Sequence, residues 1–354
     1  MRSVELSLRD ERNDTMYIMR QNECFLAGEG SKISFFLYEC YNGKMENQLM
    51  TTADNITFSK SDLMAFNQCP KRLWLKRHRP EVAHGEPDEM ILANGEAVGA
   101  LAREQFPDGI HIQTLNEQKA LSLTQQNLGA HKALFEPAFQ HGGVRVRVDI
   151  LNDDTLTEVK SGTRHKEHYL LDAAIQAWAT HHAGRAINKV QLALVNSDFV
   201  YQGSGYDGLL KYEDITAKAR ELYKHIPNLI EKAVSTIESA EPNISTGSHC
   251  NKPHPCPFKN YCNAGKPEYP VEALPRGGKI VNELRQEGIE AIADILEGRL
   301  TNETHKRVRR AVISGKAEID PELITYLQNL EYPRYYLDFE AIAFAVPIWP
   351  GTRP

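Results

Sequence analysis

The stretch VRVDILNDDTLTEVKSG, residues 146 to 162, alternates like a strand and then places Asp149, Glu158 and Lys160 where a half-buried strand gains nothing from charge. Glu158 and Lys160 lie two apart on the return run and share one face, while Val159 takes the other. NDDT (152–155) is a turn cluster, so the two runs fold back as a hairpin and bring Asp149 beside Glu158 and Lys160. Two neighbouring carboxylates repel, and each costs free energy to desolvate unless a cation accompanies them. Mg²⁺ or Mn²⁺ meets that need. A hard divalent ion takes carboxylate oxygens, a backbone carbonyl and waters, and leaves positions open for a phosphate. It lowers the pKa of a bound water and stabilises charge developing on phosphorus, and a lysine alongside orients that water or neutralises the transition state. Taken alone, the pattern also suits a solvent-facing hairpin with a surface salt bridge.

A second constellation is made of thiols. SHCNKPHPCPFKNYC (248–262) spaces Cys250, Cys256 and Cys262 evenly through a proline-interrupted loop, where no helix or strand periodicity explains them. Cys69, in NQCPKRLW, also sits beside a proline and supplies a fourth. Four thiolates suit a [4Fe-4S] cluster or a tetrahedral zinc site. The wide gaps favour the cluster, and His249 and His254 keep zinc as the alternative.

The elements that must position these groups can be read coarsely. FSKSDLMAFNQCPKRLWLKR (58–77) starts a helix at Ser59 or Ser61 and is broken at Pro70. EMILANGEAVGALAREQFP (89–107) is a second helix, and residues 118–135 read as mostly helical. VRVRVDIL (144–151) reads as one strand with Val144, Val146 and Val148 on one face. Residues 266–330 change character to short helices.

Composition excludes several classes. At 354 residues the chain can bury a large core without metals or disulfides. A net charge of −6 gives no global basic field, so contact with nucleic acid must come from local patches. ISFFLY and AIAFAV are far shorter than the roughly 20 residues of a membrane span. No secretory leader is evident, and the expectation is a soluble, cytoplasmic protein whose six cysteines are thiols or metal ligands. MTTADNITFSKSDL from Met50 reads as a more natural start, and residues 1–55 as a poorly organised extension.

Together the pieces carry a resemblance. SDLMAFNQCPKRLW, VRVDIL, TEVKSG, HYLLDAAIQAW and CNKPHPCPFKNYC, in that order, resemble the iron-sulfur branch of RecB-like PD-(D/E)XK nucleases, which includes the AddB-type domain and the CRISPR-associated RecB-like exonucleases. The resemblance implies an α/β fold: a restriction-endonuclease-like core with a mixed central sheet, an iron-sulfur cysteine clasp and a helical C-terminal extension. It implies metal-dependent hydrolysis of DNA, with Asp149 and Glu158 as metal ligands, Lys160 as the catalytic lysine, Gln176 facing DNA, and Cys69, Cys250, Cys256 and Cys262 holding the cluster. It places the nuclease domain at 56–266, a helical connector at 267–332, and at 333–354 the opening of a further domain. In that last piece RYYLDFEAIAFAVP puts Asp338 and Glu340 on one face, similar to the first motif of DnaQ-like exonucleases, and the chain stops before a second such motif; truncation is the expectation.

Two positions depart from the family. Where many relatives carry a histidine ligand, GALAR has Arg103, and Glu96 on the same helical face is the candidate replacement or else a solvated residue. The tyrosine four residues after Gln176 is Thr180, with Trp178 nearby as core packing. A basic cluster of Lys71, Arg72, Lys76, Arg77, His78 and Arg79 is either a phosphate-binding patch, with Lys71, Arg72, Lys76 and Arg77 as the binding residues, or a solvated helix face. The expected function is therefore a Mg²⁺- or Mn²⁺-dependent deoxyribonuclease, an exonuclease on single strands or DNA ends serving repair or defence. The alternative is a non-catalytic nucleic-acid-binding module braced by the cluster or by zinc. No membrane partner is expected, and the sequence names no protein partner.

Overall fold

The computed structural model describes residues 56–354 apart from 86, 87 and 131; of the first 55 residues it describes only the backbone of five strands. These are β1 (Leu6–Asp10), β2 (Thr15–Arg20), β3 (Glu23–Ala27), β4 (Leu37–Tyr41) and β5 (Lys44–Met45), paired antiparallel in chain order. The expectation of a native start near Met50 lies outside the described residues. The chain divides into two compact units, one of Met1–Pro80, Glu86–Ile244 and Phe344–Pro354, the other of Glu81–Gly85 and Ser245–Ala343. The expected span 56–266 is thus divided at Ile244, and the three downstream cysteines fall in the second unit.

The first unit is mixed α/β. β6 (Phe58–Ser59), β9 (Ala138–His141) and β10 (Val144–Arg147) form a small sheet with β10 in the middle, parallel to β6 and antiparallel to β9. β7 (Ile110–His111), β8 (Leu134–Phe135), β11 (Ile150–Asn152), β12 (Thr155–Lys160), β13 (Lys189–Val195) and β14 (Leu210–Asp214) form a second sheet in the order β14-β13-β12-β11-β8-β7. β12 runs antiparallel to β11 but parallel to β13, and α5 (Glu167–His182) makes the crossover between them, as a parallel pair requires. Leu156 of β12 faces the main core with Ile175 of α5, while Val159 packs on the other face against the cluster of Ala102, Ala133, Phe135 and Ile150. A strand covered on both faces can hold charge only at a site.

Local chemistry sets the helices. Ser59 and Asp62 make a reciprocal capping box that starts α1 (Lys60–Gln68). Pro70 cannot continue that helix and instead opens α2 (Pro70–His78), leaving Cys69 extended and buried at the junction. α3 (Glu89–Glu104) is capped by Asp88 and α4 (Glu117–Asn127) by Asn116. α4 ends at Asn127, so the helix expected over 118–135 is only half formed, and Leu134–Phe135 pairs into the sheet instead. α6 (Thr216–Tyr223) and α7 (Ile226–Glu238) complete the unit. α5 is buried nearly all round, from Tyr169 to Thr180, which its run of alanines permits.

The single strand expected over 144–151 is instead two. Val144, Val146 and Val148 enter the main core, but so does Leu151, so the alternation slips by one residue at Asp149. The chain bends there and passes from the small sheet to the large one.

The second unit carries α8 (Lys259–Cys262), α9 (Gly278–Gln286), α10 (Glu303–Ser314) and α11 (Pro321–Gln328) around a small core of Val271, Leu274, Leu284, Ile292, Ile295 and Leu300. Residues 334–347 form no strand, contrary to expectation: Tyr336 is 90% and Phe339 87% exposed, and Asp338 and Glu340 face solvent. A lone strand has no backbone partners to hold it, and a single pairing is marginal. Among the described residues no helix is long and apolar enough to cross a membrane.

Candidate active site

The hairpin is built as the sequence implies. Ile150 pairs with Thr157 and Asn152 with Thr155, closed by Asp153 and Asp154, with Asp153 in the left-handed region at φ 49°. One step beyond the last pair, Asp149 stands opposite Glu158. Its Oδ2 accepts the Val159 N–H at 2.6 Å, which fixes the carboxylate across the end of β12.

Glu158 is 1% exposed and is enclosed by donors. Lys160 Nζ lies 2.5 Å from its Oε1, Lys60 Nζ lies 3.2 Å from the same atom, and Gln176 Nε2 donates to Oε2. Asp172 completes the set: Lys160 Nζ reaches its Oδ2 at 2.6 Å, Lys60 Nζ its Oδ1 at 2.8 Å, and Gln176 Nε2 its Oδ1 at 3.1 Å. Asp172 and Gln176 are four residues apart on α5, so they stack on the face turned to β12. Lys60 comes from the first turn of α1, which β6 holds beside β10.

The electrostatics separate the two carboxylates of the hairpin. Burial pushes Asp149 well above the usual carboxylate range, and the charge of Glu158 pushes it further. Burial would also raise Glu158, but Lys60 and Lys160 together overcome it and hold Glu158 far below its usual value. Burial would lower Lys60 and Lys160, yet Glu158 and Asp172 raise both. Glu158 is thus an anion under all ordinary conditions, while Asp149 keeps its proton to higher pH. A pair of hard oxygen donors, one of them short of countercharge, is what a divalent ion fits.

Glu136 is a further carboxylate nearby. It sits at φ 56° and its N–H donates to Asp149 O at 3.2 Å. Burial raises its pKa, with Arg147 opposing. Arg147 ties this region together by donating to Thr114 O at 2.8 Å and to Glu136 O at 3.2 Å.

The remaining expected residues are placed otherwise. Gln176 is fully buried, a donor to Glu158 and Asp172, and its Oε1 is left without a partner. Thr180 is also fully buried with an unpartnered hydroxyl, and Trp178 is core, as expected. Glu96 is exposed on α3, and no hydrogen bond or ion pair joins it to the hairpin. The basic cluster is largely compensated: Lys71 pairs with Glu241 at 2.7 Å, Lys76 and Arg77 pair with Asp62 at 2.6 and 2.7 Å, and Arg72 donates to Gln68. Charges spent on internal partners release few counterions from a phosphate backbone.

Sequence reasoning missed Lys60, Asp172 and Glu136. Asp172 had a signal, since it lies four residues before Gln176 in the otherwise apolar LLDAAIQAWA. Lys60 had none, being 98 residues from Glu158 in a stretch that reads only as a helix start.

None of the four expected cluster cysteines is in a disulfide. In the second unit Cys256 N–H donates to Cys250 O at 2.8 Å, drawing that loop into one turn, and Cys262 ends α8. Among the described residues no group of three or more His, Cys, Asp or Glu side chains is arranged to hold a metal ion. Compared with known proteins, the chain matches no family model and no curated protein.

Proposed function

We propose that this protein is a Mg²⁺- or Mn²⁺-dependent deoxyribonuclease of the PD-(D/E)XK type, acting as an exonuclease on single strands or DNA ends. One observation carries the reading. Asp149, Glu158, Lys160 and Gln176, drawn from a bend, a central strand and a crossover helix, converge in one cluster in which Glu158 and Gln176 are buried and Asp149 and Lys160 half-buried, where a surface salt bridge would have been exposed. Asp149 and Glu158 would hold the cation, with the substrate phosphate and waters filling its other positions. When bound, the ion supplies an activated water and neutralises charge developing on phosphorus. Lys160, fixed by Glu158 and Asp172, whose charges raise its pKa, presents an ammonium that would act by charge and orientation. Gln176 locks the Glu158 carboxylate in its orientation.

The resemblance adds a [4Fe-4S] cluster on Cys69, Cys250, Cys256 and Cys262, or zinc in its place. No step of the reaction is routed through it. A second reading, a nucleic-acid-binding module without catalysis, draws on Arg103 and Thr180, which stand where family residues are missing.

Incubation of anaerobically purified protein with labelled single- and double-stranded DNA and Mn²⁺ separates the two. Wild type is expected to release nucleotides, and Lys160→Ala to do so slower by about 10²-fold or more. Binding without cleavage by wild type selects the module.

A further inference from the structure

The cluster holds one ammonium more than the motif requires. Lys160 already bridges Glu158 and Asp172, yet Lys60 bridges the same two carboxylates, at 3.2 and 2.8 Å. Bringing a second ammonium out of water is costly, and one lysine suffices to join two carboxylates. The side chain of Lys60 is 25% exposed, somewhat more than the 19% of Lys160, against 2% for Glu158 and 11% for Asp172. It is also carried by a different element from the rest, the first turn of α1.

The charge count shows what that ammonium is for. Once a divalent cation displaces the proton from Asp149, the carboxylates of Asp149, Glu158 and Asp172, set against the ammoniums of Lys60 and Lys160, sum to one net negative charge. A divalent cation makes the sum one positive, equal and opposite to a single phosphodiester. Without Lys60 the loaded site would be neutral and would offer a phosphate no surplus charge. The same ammonium competes with an incoming cation for Glu158 Oε1.

Building on the nuclease reading, we infer that Lys60 is a second phosphate-contacting lysine. It neutralises Glu158 and Asp172 until a divalent cation takes over Glu158, and then turns its ammonium to the scissile phosphate of the DNA strand while Asp172 retains Lys160. The two roles pull in opposite directions.

The experiment compares full-length wild type, Lys60→Gln and Lys60→Arg, each checked by thermal melting. Mn²⁺ binding is measured by calorimetry, binding of a labelled oligonucleotide in Ca²⁺ across a salt series, and cleavage in Mn²⁺. Lys60→Gln is expected to bind Mn²⁺ several-fold more tightly and DNA about tenfold more weakly, with a salt dependence shallower by about one phosphate contact. Its KM should rise, and Lys60→Arg should recover part of the DNA affinity. DNA affinity and salt slope equal to wild type, with wild type cleaving, would overturn the inference and leave the nuclease reading intact. Mn²⁺ and DNA weakened together would make Lys60 a structural brace and also overturn it. Wild type that neither binds Mn²⁺ nor cleaves would overturn the nuclease reading, and this inference with it.

Discussion

Lys160 and Asp172 are joined at 2.6 Å between strand β12 and helix α5, so the expected catalytic lysine is held by a carboxylate outside its own motif. Asp172→Asn keeps the shape and removes the charge that fixes Lys160 and Lys60. It should weaken Mn²⁺ binding, because both lysines are then left to Glu158, and slow cleavage by roughly 10-fold or more, the size of effect expected when a reacting group is displaced slightly. Single-turnover cleavage in saturating Mn²⁺ measures it.

Gln176→Leu fills the same space with no donor. Glu158 and Asp172 then each lose a hydrogen bond while buried, and the cost should be about 1–3 kcal/mol in urea unfolding. A loss within error of zero would mean that Gln176 orients nothing.

Asp62 serves stability and not the site. Burial would raise its carboxyl, but the hydrogen bond from Lys76, the Ser59 N–H and the charge of Arg77 more than offset this and lower it. A depressed carboxylate contributes stability that is present above its ordinary pKa and lost as pH falls through the folded value. Asp62→Asn should therefore cost about 1–2 kcal/mol at pH 7, through the capping box and the partly exposed ion pairs. The difference from wild type should shrink in acid, which thermal melts across pH would reveal.

Gly142 shows how the small sheet meets α5. It has φ 53°, and a Cβ there would lie 3.0 Å from Cη2 of Trp178. Gly142→Ala should lower stability by about 1–2 kcal/mol from backbone strain alone, with the contact adding to it. Melting temperature is the readout.

The sequence made some of this legible and hid the rest for physical reasons. The hairpin could be read because its turn chemistry and period-two alternation are local, and they set Asp149 opposite Glu158. The bend at Asp149 could not, since whether Val148 and Leu151 share a core depends on two sheets meeting. Lys60 belongs to the cluster through tertiary packing, and neither spacing nor period marks a contact across 98 residues, whereas Asp172 was marked by its four-residue spacing from Gln176. The basic run after Cys69 looked like a patch because its counterions, Asp62 and Glu241, lie on other turns of the chain. Glu96 was chosen from helical spacing, which gives a face but not what that face meets.

The account rests on Asp149 and Glu158 gripping one hard divalent cation, and Mn²⁺ binding to the full chain tests it most directly. Wild type should bind Mn²⁺ with a defined stoichiometry, and Asp149→Asn and Glu158→Gln should each weaken that binding by about 10-fold or more, as expected when one of two carboxylate ligands is lost. Equal Mn²⁺ affinity in all three proteins would contradict it.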